Sequence, residues 1–227
     1  MIGPFLDRHR YRKRVRIGVE ELGTLLTPGM ERSMYLHPNA IAREIFWQRL
    51  DEVYRRVRSL PAECTSHCLD LGGGTGVLAR SVAEHFERYT IIDLEAEDAE
   101  RVIEHFGTPN VEIQNEDVLK HHPAEPYSTI IAADVLEHFQ DLGAICRKVD
   151  SLLMDGGRLI VSLPTENQIY RLGRIILRKS KPADHYHDSR TVIKALGGQG
   201  LEVEVKSWIP SMVASLPLFD VAVLRKP

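Results

Sequence analysis

A chain of 227 residues with 43 % hydrophobic and 27 % charged side chains has globular proportions, enough for one domain of ordinary size with at most a modest appendage. Its 29 basic and 32 acidic residues leave a net charge of −3, which excludes a general attraction to nucleic acid or to an anionic membrane. No apolar run approaches the length that spans a bilayer, and the opening Met-Ile-Gly-Pro-Phe-Leu-Asp-Arg-His-Arg lacks the apolar segment of a secretory leader. Cys64, Cys68 and Cys146 form no metal-ligand spacing, and so sparse a set fits a reduced, cytoplasmic protein, with Cys68 a small apolar residue of a buried strand rather than a redox partner of Cys64.

Residues 1–62 read as an N-terminal helical cap that does not stand alone. A basic run from Arg8 to Arg16 leads into a helical stretch ending near Leu26, with a break at Thr27-Pro28-Gly29. A second helix opens near Pro38-Asn39. In it Ile41, Ile45, Phe46, Leu50, Val53, Tyr54 and Val57 recur at helical steps along one apolar face, and the helix stops at Leu60-Pro61. From residue 63 to 227 short apolar runs alternate with amphipathic stretches. Strands are expected at Ser66–Leu71, Tyr89–Leu94, Val111–Gln114, Ser128–Ala133 and Arg158–Leu163, with helices near 76–86, 96–106 and 140–154. That alternation predicts a Rossmann-like α/β fold: a mostly parallel sheet of seven strands with helices on both faces. The last two strands, Leu201–Trp208 and Phe219–Leu224, are expected to pair antiparallel at the edge. An insertion at 165–187 leaves the C-terminal end of the fifth strand, the edge where open α/β sheets bind ligands.

Asp70-Leu71-Gly72-Gly73-Gly74-Thr75-Gly76 joins the first strand to a helix, so Gly72, Gly74 and Gly76 let the backbone turn and approach a ligand beside unpaired N–H groups. The loop alone is ambiguous, since Gly74-x-Gly76-x-x-Ala79 also satisfies the dinucleotide fingerprint, and Asp93 suits a ribose in either case. Three features favour S-adenosylmethionine. Asp70 would repel a pyrophosphate but accept hydrogen bonds from the loop and sit well beside the ammonium of an amino acid. Glu116-Asp117-Val118 offers a carboxylate to an exocyclic adenine amine. The roughly 160 residues after the first strand begins leave no room for the separate substrate domain of a dehydrogenase.

On these motifs the sequence resembles the class I methyltransferases, over Leu69 to about Leu163 and more loosely to the end. Asp70–Gly76 looks like their first motif, with Gly73 where cysteine or serine is frequent, and Ile91-Ile92-Asp93-Leu94 looks like the second. The resemblance implies ribose contacts by Asp93, adenine packing on Leu94 and an adenine edge at Asn115-Glu116-Asp117-Val118. Asp134-Val135-Leu136-Glu137-His138-Phe139 is similar to the fourth motif of the small-molecule and quinone O-methyltransferase branch, and Leu153–Pro164 to the glycine-glycine turn into the fifth strand. It lacks the Asn/Asp-Pro-Pro-aromatic motif that nucleobase amino-methyltransferases share. The expected donor-site residues are therefore Asp70, Gly72, Gly74, Gly76, Asp93, Leu94, Asp117, Val118 and Asp134.

Displacement at a sulfonium needs alignment of donor and acceptor and the removal of at most one proton. His138 is the leading base, with Glu137 and His185 as further catalytic candidates; otherwise Glu137 and His138 simply hold the fourth-strand loop. Asp134, Glu137 and His138 with His185, or His187, also make a candidate Mg²⁺ or Mn²⁺ site that would hold an acceptor's vicinal oxygens. The pattern resembles the acid-x-x-Glu-His plus distal His of small-RNA 2′-O-methyltransferases and quinone-pathway O-methyltransferases, with Asp134 in place of their glutamate.

The stretch 170–181, with Tyr170, Leu172, Ile175 and Ile176 among Arg171, Arg174, Arg178, Lys179 and Lys181, reads first as a helix covering the site. Peripheral contact with an anionic membrane or with RNA phosphates are its alternatives. The expected activity is methyl transfer to an oxygen, less readily to nitrogen or carbon, of a small or lipid-like acceptor. An RNA 2′-O-methyltransferase and a catalytically silent binding protein are the competing readings.

Overall fold

A computed structural model describes residues 15–27, 34–167, 185–210 and 217–227. The basic stretch 170–181, the Arg8–Arg14 part of the N-terminal run and the Pro28-Gly29 break lie outside the described residues.

The N-terminal part of the described residues carries α1 (Val19–Leu25) and α2 (Ala40–Val57). Asn39 starts α2, its side chain accepting from the N–H groups of Ile41 at 2.9 Å and Ala42 at 3.2 Å and so satisfying two donors that the first turn leaves open. The buried face of α2 holds Trp47, Leu50, Val53, Tyr54 and Val57. Most of the expected stripe is inside, with Ile45 and Phe46 packed against the core, but Ile41 is 74 % exposed, while Arg49 and Glu52 are buried. Those two charges are tolerated inside because each finds partners, Glu52 pairing with Arg55 at 2.8 Å and Arg56 at 2.5 Å.

Seven strands follow: β1 (His67–Leu71), β2 (Arg88–Asp93), β3 (Val111–Asn115), β4 (Tyr127–Ala133), β5 (Leu153–Pro164), β6 (Glu202–Ile209) and β7 (Phe219–Arg225). They form one sheet in the order β3-β2-β1-β4-β5-β7-β6. The first five pair in parallel, and β7 runs antiparallel to both β5 and β6, so the mostly parallel seven-stranded Rossmann-like sheet is present. Sequence order reverses at β1 and β4, which opens a crevice at their C-terminal ends.

Strand residues alternate between two apolar layers. Cys68, Ile91, Ile131, Ile160 and Val221 pack on one face with Leu22, Trp47 and Tyr54 of the N-terminal helices, and with Val82, Ala99 and Val102. Leu69, Ile92, Ile130, Val161 and Leu224 pack on the other with Ile145, Val149, Val192 and Leu196. The remaining α-helices among the described residues are α3 (Ala79–Val82), α4 (Glu97–Phe106), α5 (Leu142–Leu152) and α6 (Ser189–Gly197). Helix α3 is shorter than the 76–86 expected. Gly76 has φ +68°, so its residue belongs to the loop, and the chain tightens into a 3₁₀ turn at Ala83–His85. No described helix is long and apolar enough to cross a membrane.

Candidate methyl-donor and acceptor site

The loop after β1 lies in the crevice. Gly72, Gly74 and Gly76 have φ of +67°, +52° and +68°, a conformation that side chains resist. The loop is also closely packed. A Cβ on Gly72 would lie 2.5 Å from Val135 Cγ2, and one on Gly76 would meet the Ala99 backbone at 3.0 Å. A Cβ on Gly73 would lie 2.7 Å from Ile91 and 3.1 Å from Asp70 Oδ2, so the glycine found where cysteine or serine was noted as frequent fills a tight space.

The expectation that Asp70 accepts from the loop backbone is corrected. Among the described residues it is Asp93 that does so, its Oδ2 receiving the Gly74 N–H at 2.8 Å. Asp70 is buried and accepts instead from the Tyr89 hydroxyl at 2.8 Å. Burial pushes its carboxyl up to about 7; the Tyr89 hydrogen bond opposes the rise and the nearby Asp93 charge adds to it. Leu94, beside Asp93, stands 69 % exposed. Asp117 caps the 3₁₀ turn Val118–Lys120 by accepting from Leu119 N–H at 3.0 Å, which leaves its second oxygen for another donor, and Val118 is buried beneath.

Asp134 follows β4 with φ +58°, its N–H donating to Ser162 O at 2.8 Å. Its carboxylate forms an ion pair with Arg49 of α2, which sequence reasoning missed. Arg49 is 4 % exposed, and its guanidinium lies over the rings of Phe46 (5.1 Å) and Phe219 (5.6 Å), which contact each other. It donates to the Tyr35 hydroxyl at 2.7 Å, while its Nε–H has no acceptor among the described residues. The signal was present: Arg49 interrupts the apolar stripe of α2 between Phe46 and Val53.

Beyond Asp134 the chain makes a 3₁₀ turn, Leu136–His138. The segment 185–187 docks on it: Tyr186 N–H donates to Glu137 O at 3.0 Å, and His187 Nε2 lies 3.1 Å from Phe139 O. This brings together Glu137, His138 and His185, each with a ligand-type atom within 4.8 Å of the others. The rings of His138 and His185 stand at 86° with centroids 4.6 Å apart. Asp134, grouped with them from sequence, is not part of this cluster, because Arg49 holds its carboxylate elsewhere; His187 is likewise engaged by the Phe139 carbonyl. Glu166, also missed, lies with Oε1 3.1 Å from His185 Nδ1. Nothing in its local sequence marks it, since the contact depends on how the insertion returns.

A glycine loop at the β1 switch point, an acid closing it from β2, and a second polar cluster at the end of β4 make up the candidate group-transfer site of this α/β fold. A family model described as "Methyltransferase domain" matches residues 18–205, and the chain belongs to that family, the class I S-adenosylmethionine-dependent methyltransferases. It is 34 % identical over 119 residues to a ubiquinone biosynthesis O-methyltransferase from Xylella fastidiosa (strain M23), covering 50 % of this chain and 46 % of that one. A ubiquinone biosynthesis O-methyltransferase from Aeromonas salmonicida (strain A449) is 28 % identical over 103 residues, or 44 % of this chain and 43 % of that one. The chain thus matches these curated relatives over about half their length. Among solved structures, magnesium protoporphyrin IX methyltransferase (ChlM) from Synechocystis PCC 6803 with bound SAH superposes with TM-score 0.66 at 17 % identity, covering 98 % of this chain and 94 % of that one. The N-methyltransferase NodS from Bradyrhizobium japonicum WM9 superposes with TM-score 0.64 at 20 % identity, covering 81 % of this chain and 97 % of that one. These likenesses concern the fold.

Proposed function

We propose that this protein transfers the methyl group of S-adenosylmethionine to a hydroxyl oxygen of a small or lipid-like acceptor. The observation that carries the reading is the charge layout of the crevice. The donor is a zwitterionic amino acid joined through a sulfonium to adenosine. Asp70 suits its ammonium, Asp93 and the loop N–H groups its ribose, and Leu94, Asp117 and Val118 its adenine. Its carboxylate, surrounded by these acids, needs a cation. Arg49 is buried beside Asp134 with an Nε–H that lacks an acceptor among the described residues. The relatives named for ubiquinone O-methylation favour oxygen as the acceptor atom.

In the transfer the acceptor oxygen bonds to the methyl carbon as the sulfur–methyl bond breaks, the electron pair returning to sulfur. The hydroxyl proton leaves to a base. We assign that role to His138, and its proximity to Glu137 and His185 at the end of β4 supports the reading. The same trio supports a second reading, a Mg²⁺ or Mn²⁺ ion held by Glu137, His138 and His185 that lowers the acceptor's pKa.

Calorimetry with S-adenosylhomocysteine tests the donor site, and binding in the micromolar range is expected. An absence of binding sinks both enzymatic readings and leaves the silent binding protein. Labelled S-adenosylmethionine offered with catechol, a prenylated phenol or RNA then identifies the acceptor, with transfer expected to the phenols. Transfer that survives a chelator unchanged removes the metal reading.

A further inference from the structure

We propose that Tyr89 is a positioning residue of the donor site: its buried hydroxyl holds the Asp70 carboxylate in place for the ammonium of S-adenosylmethionine and sets the pH range over which that pairing forms. The inference rests on the proposed reading of Asp70 as the partner of the donor's ammonium.

The two side chains share one face of the sheet. In the parallel pairing of β1 with β2, Tyr89 lies opposite Cys68 and Asp70 opposite Ile91, so Tyr89 reaches one step along the face to Asp70. Its hydroxyl donates to Asp70 Oδ2 at 2.8 Å, the one hydrogen bond that this carboxyl receives among the described residues. Both groups are inside, Asp70 2 % and Tyr89 1 % exposed. A phenylalanine would fill the same apolar place beside Phe86, whose ring centroid lies 5.8 Å away. A hydroxyl at that depth is costly unless it has a partner, so what the tyrosine adds is the bond to Asp70.

A second observation points to the same oxygen. Unlike Gly72, Gly74 and Gly76, Gly73 does not sit in the left-handed region, so its conformation does not call for glycine. The space does. A Cβ there would lie 3.1 Å from Asp70 Oδ2 and 2.7 Å from Ile91 Cγ2, so the loop is bare where the carboxylate meets the hydroxyl.

The titratable groups around Asp70 are Cys68 on its own strand and Tyr89 and Asp93 on β2, while its β4 neighbour Ile131 carries no charge. Burial and the Asp93 charge disfavour the carboxylate; the Tyr89 bond favours it. Burial also pushes the Cys68 thiol and the Tyr89 hydroxyl well up, so both stay protonated and Tyr89 remains a donor. A hydroxyl bonds a carboxylate more strongly than a neutral carboxyl, and so keeps this deep acid ionisable near neutral pH.

The test is carbon-13 NMR of the full chain labelled at its aspartate carboxyls, the Asp70 signal being identified by its loss in Asp70→Asn. Tyr89→Phe is expected to raise the Asp70 midpoint by about one pH unit. Calorimetry with S-adenosylhomocysteine should then give an affinity about tenfold below wild type near about pH 6, and equal to it above about pH 9, where both carboxyls are ionised. An unmoved midpoint overturns the proposal. So do binding profiles that coincide, or that differ by one factor at every pH as a merely structural residue would give. Should the Phe variant fail to fold, Tyr89→3-fluorotyrosine places a stronger donor of nearly the same shape and is expected to lower the midpoint. A midpoint that stays or rises there overturns the proposal. The carboxyl titration needs no ligand, so wild type that binds no S-adenosylhomocysteine at any pH would sink the donor reading separately.

Discussion

The N–H of Gly74 donates to Asp93 Oδ2 at 2.8 Å, so the acid at the end of β2 shapes the glycine loop. On the proposed reading Asp93 also holds the ribose of the donor, and Asp93→Ala would then remove both roles. Losing a hydrogen bond to a charged group should cost about 1.5–3 kcal/mol of stability, a drop of several degrees in melting temperature. Affinity for S-adenosylhomocysteine should fall further, by about 100-fold, because the ribose partner goes as well. Calorimetry beside a thermal melt separates the two, and a variant that fails to fold would identify Asp93 as structural.

Gly74 and Gly76 should not respond alike to alanine. A Cβ on Gly74 meets nothing nearer than 3.8 Å, so Gly74→Ala carries only the conformational penalty of about 1 kcal/mol. Gly76→Ala adds a clash with the Ala99 backbone and should cost about 2–3 kcal/mol, read by denaturant titration.

Donor binding should be linked to protons through Asp70. Its folded-state pKa of about 7 lies above the unfolded value of 3.8, so the folded chain binds the extra proton. Stability of the free protein is therefore full below the unfolded value and falls as pH rises from about 4 to about 7, levelling off above. An ammonium beside Asp70 favours the ionised form, so binding releases a proton in that window. Affinity for S-adenosylhomocysteine should rise by up to about tenfold per pH unit below 7 and then level off. Asp70→Asn should abolish the slope; a slope that persists would assign it to another group.

Arg49→Met leaves Asp134 beside an apolar chain with its counter-charge gone. Breaking so buried a pair should cost about 3 kcal/mol. The double variant Arg49→Met with Asp134→Asn should recover much of that stability without recovering donor affinity. Recovery of both would make Arg49 a structural partner only.

Much of the fold was legible because its signals are local. Short apolar runs between amphipathic stretches, glycines at strand ends and Asn39 before an apolar stripe each act within a few residues, and the sheet and most helices follow. The shortened α3 and the exposed Ile41 escaped, since each depends on what packs alongside. Gly76 faces the Ala99 backbone, and Ile41 lies in the first turn of α2, outside the cluster that buries Leu50, Val53, Tyr54 and Val57.

What the sequence determined by itself is the donor-binding frame. A parallel α/β pattern puts the residues that follow β1, β2 and β3 at one end of the sheet, so Asp70, Asp93 and Asp117 need no coordinates to be gathered there. Which acid holds the loop, which cation pairs with Asp134 and which histidine completes the second cluster were decided only by tertiary structure. Arg49 lies 85 positions from Asp134, by subtraction, and Tyr186 lies 49 from Glu137. Contacts across such distances are set by how whole elements pack, through burial and hydrogen bonds that no sequence neighbour encodes.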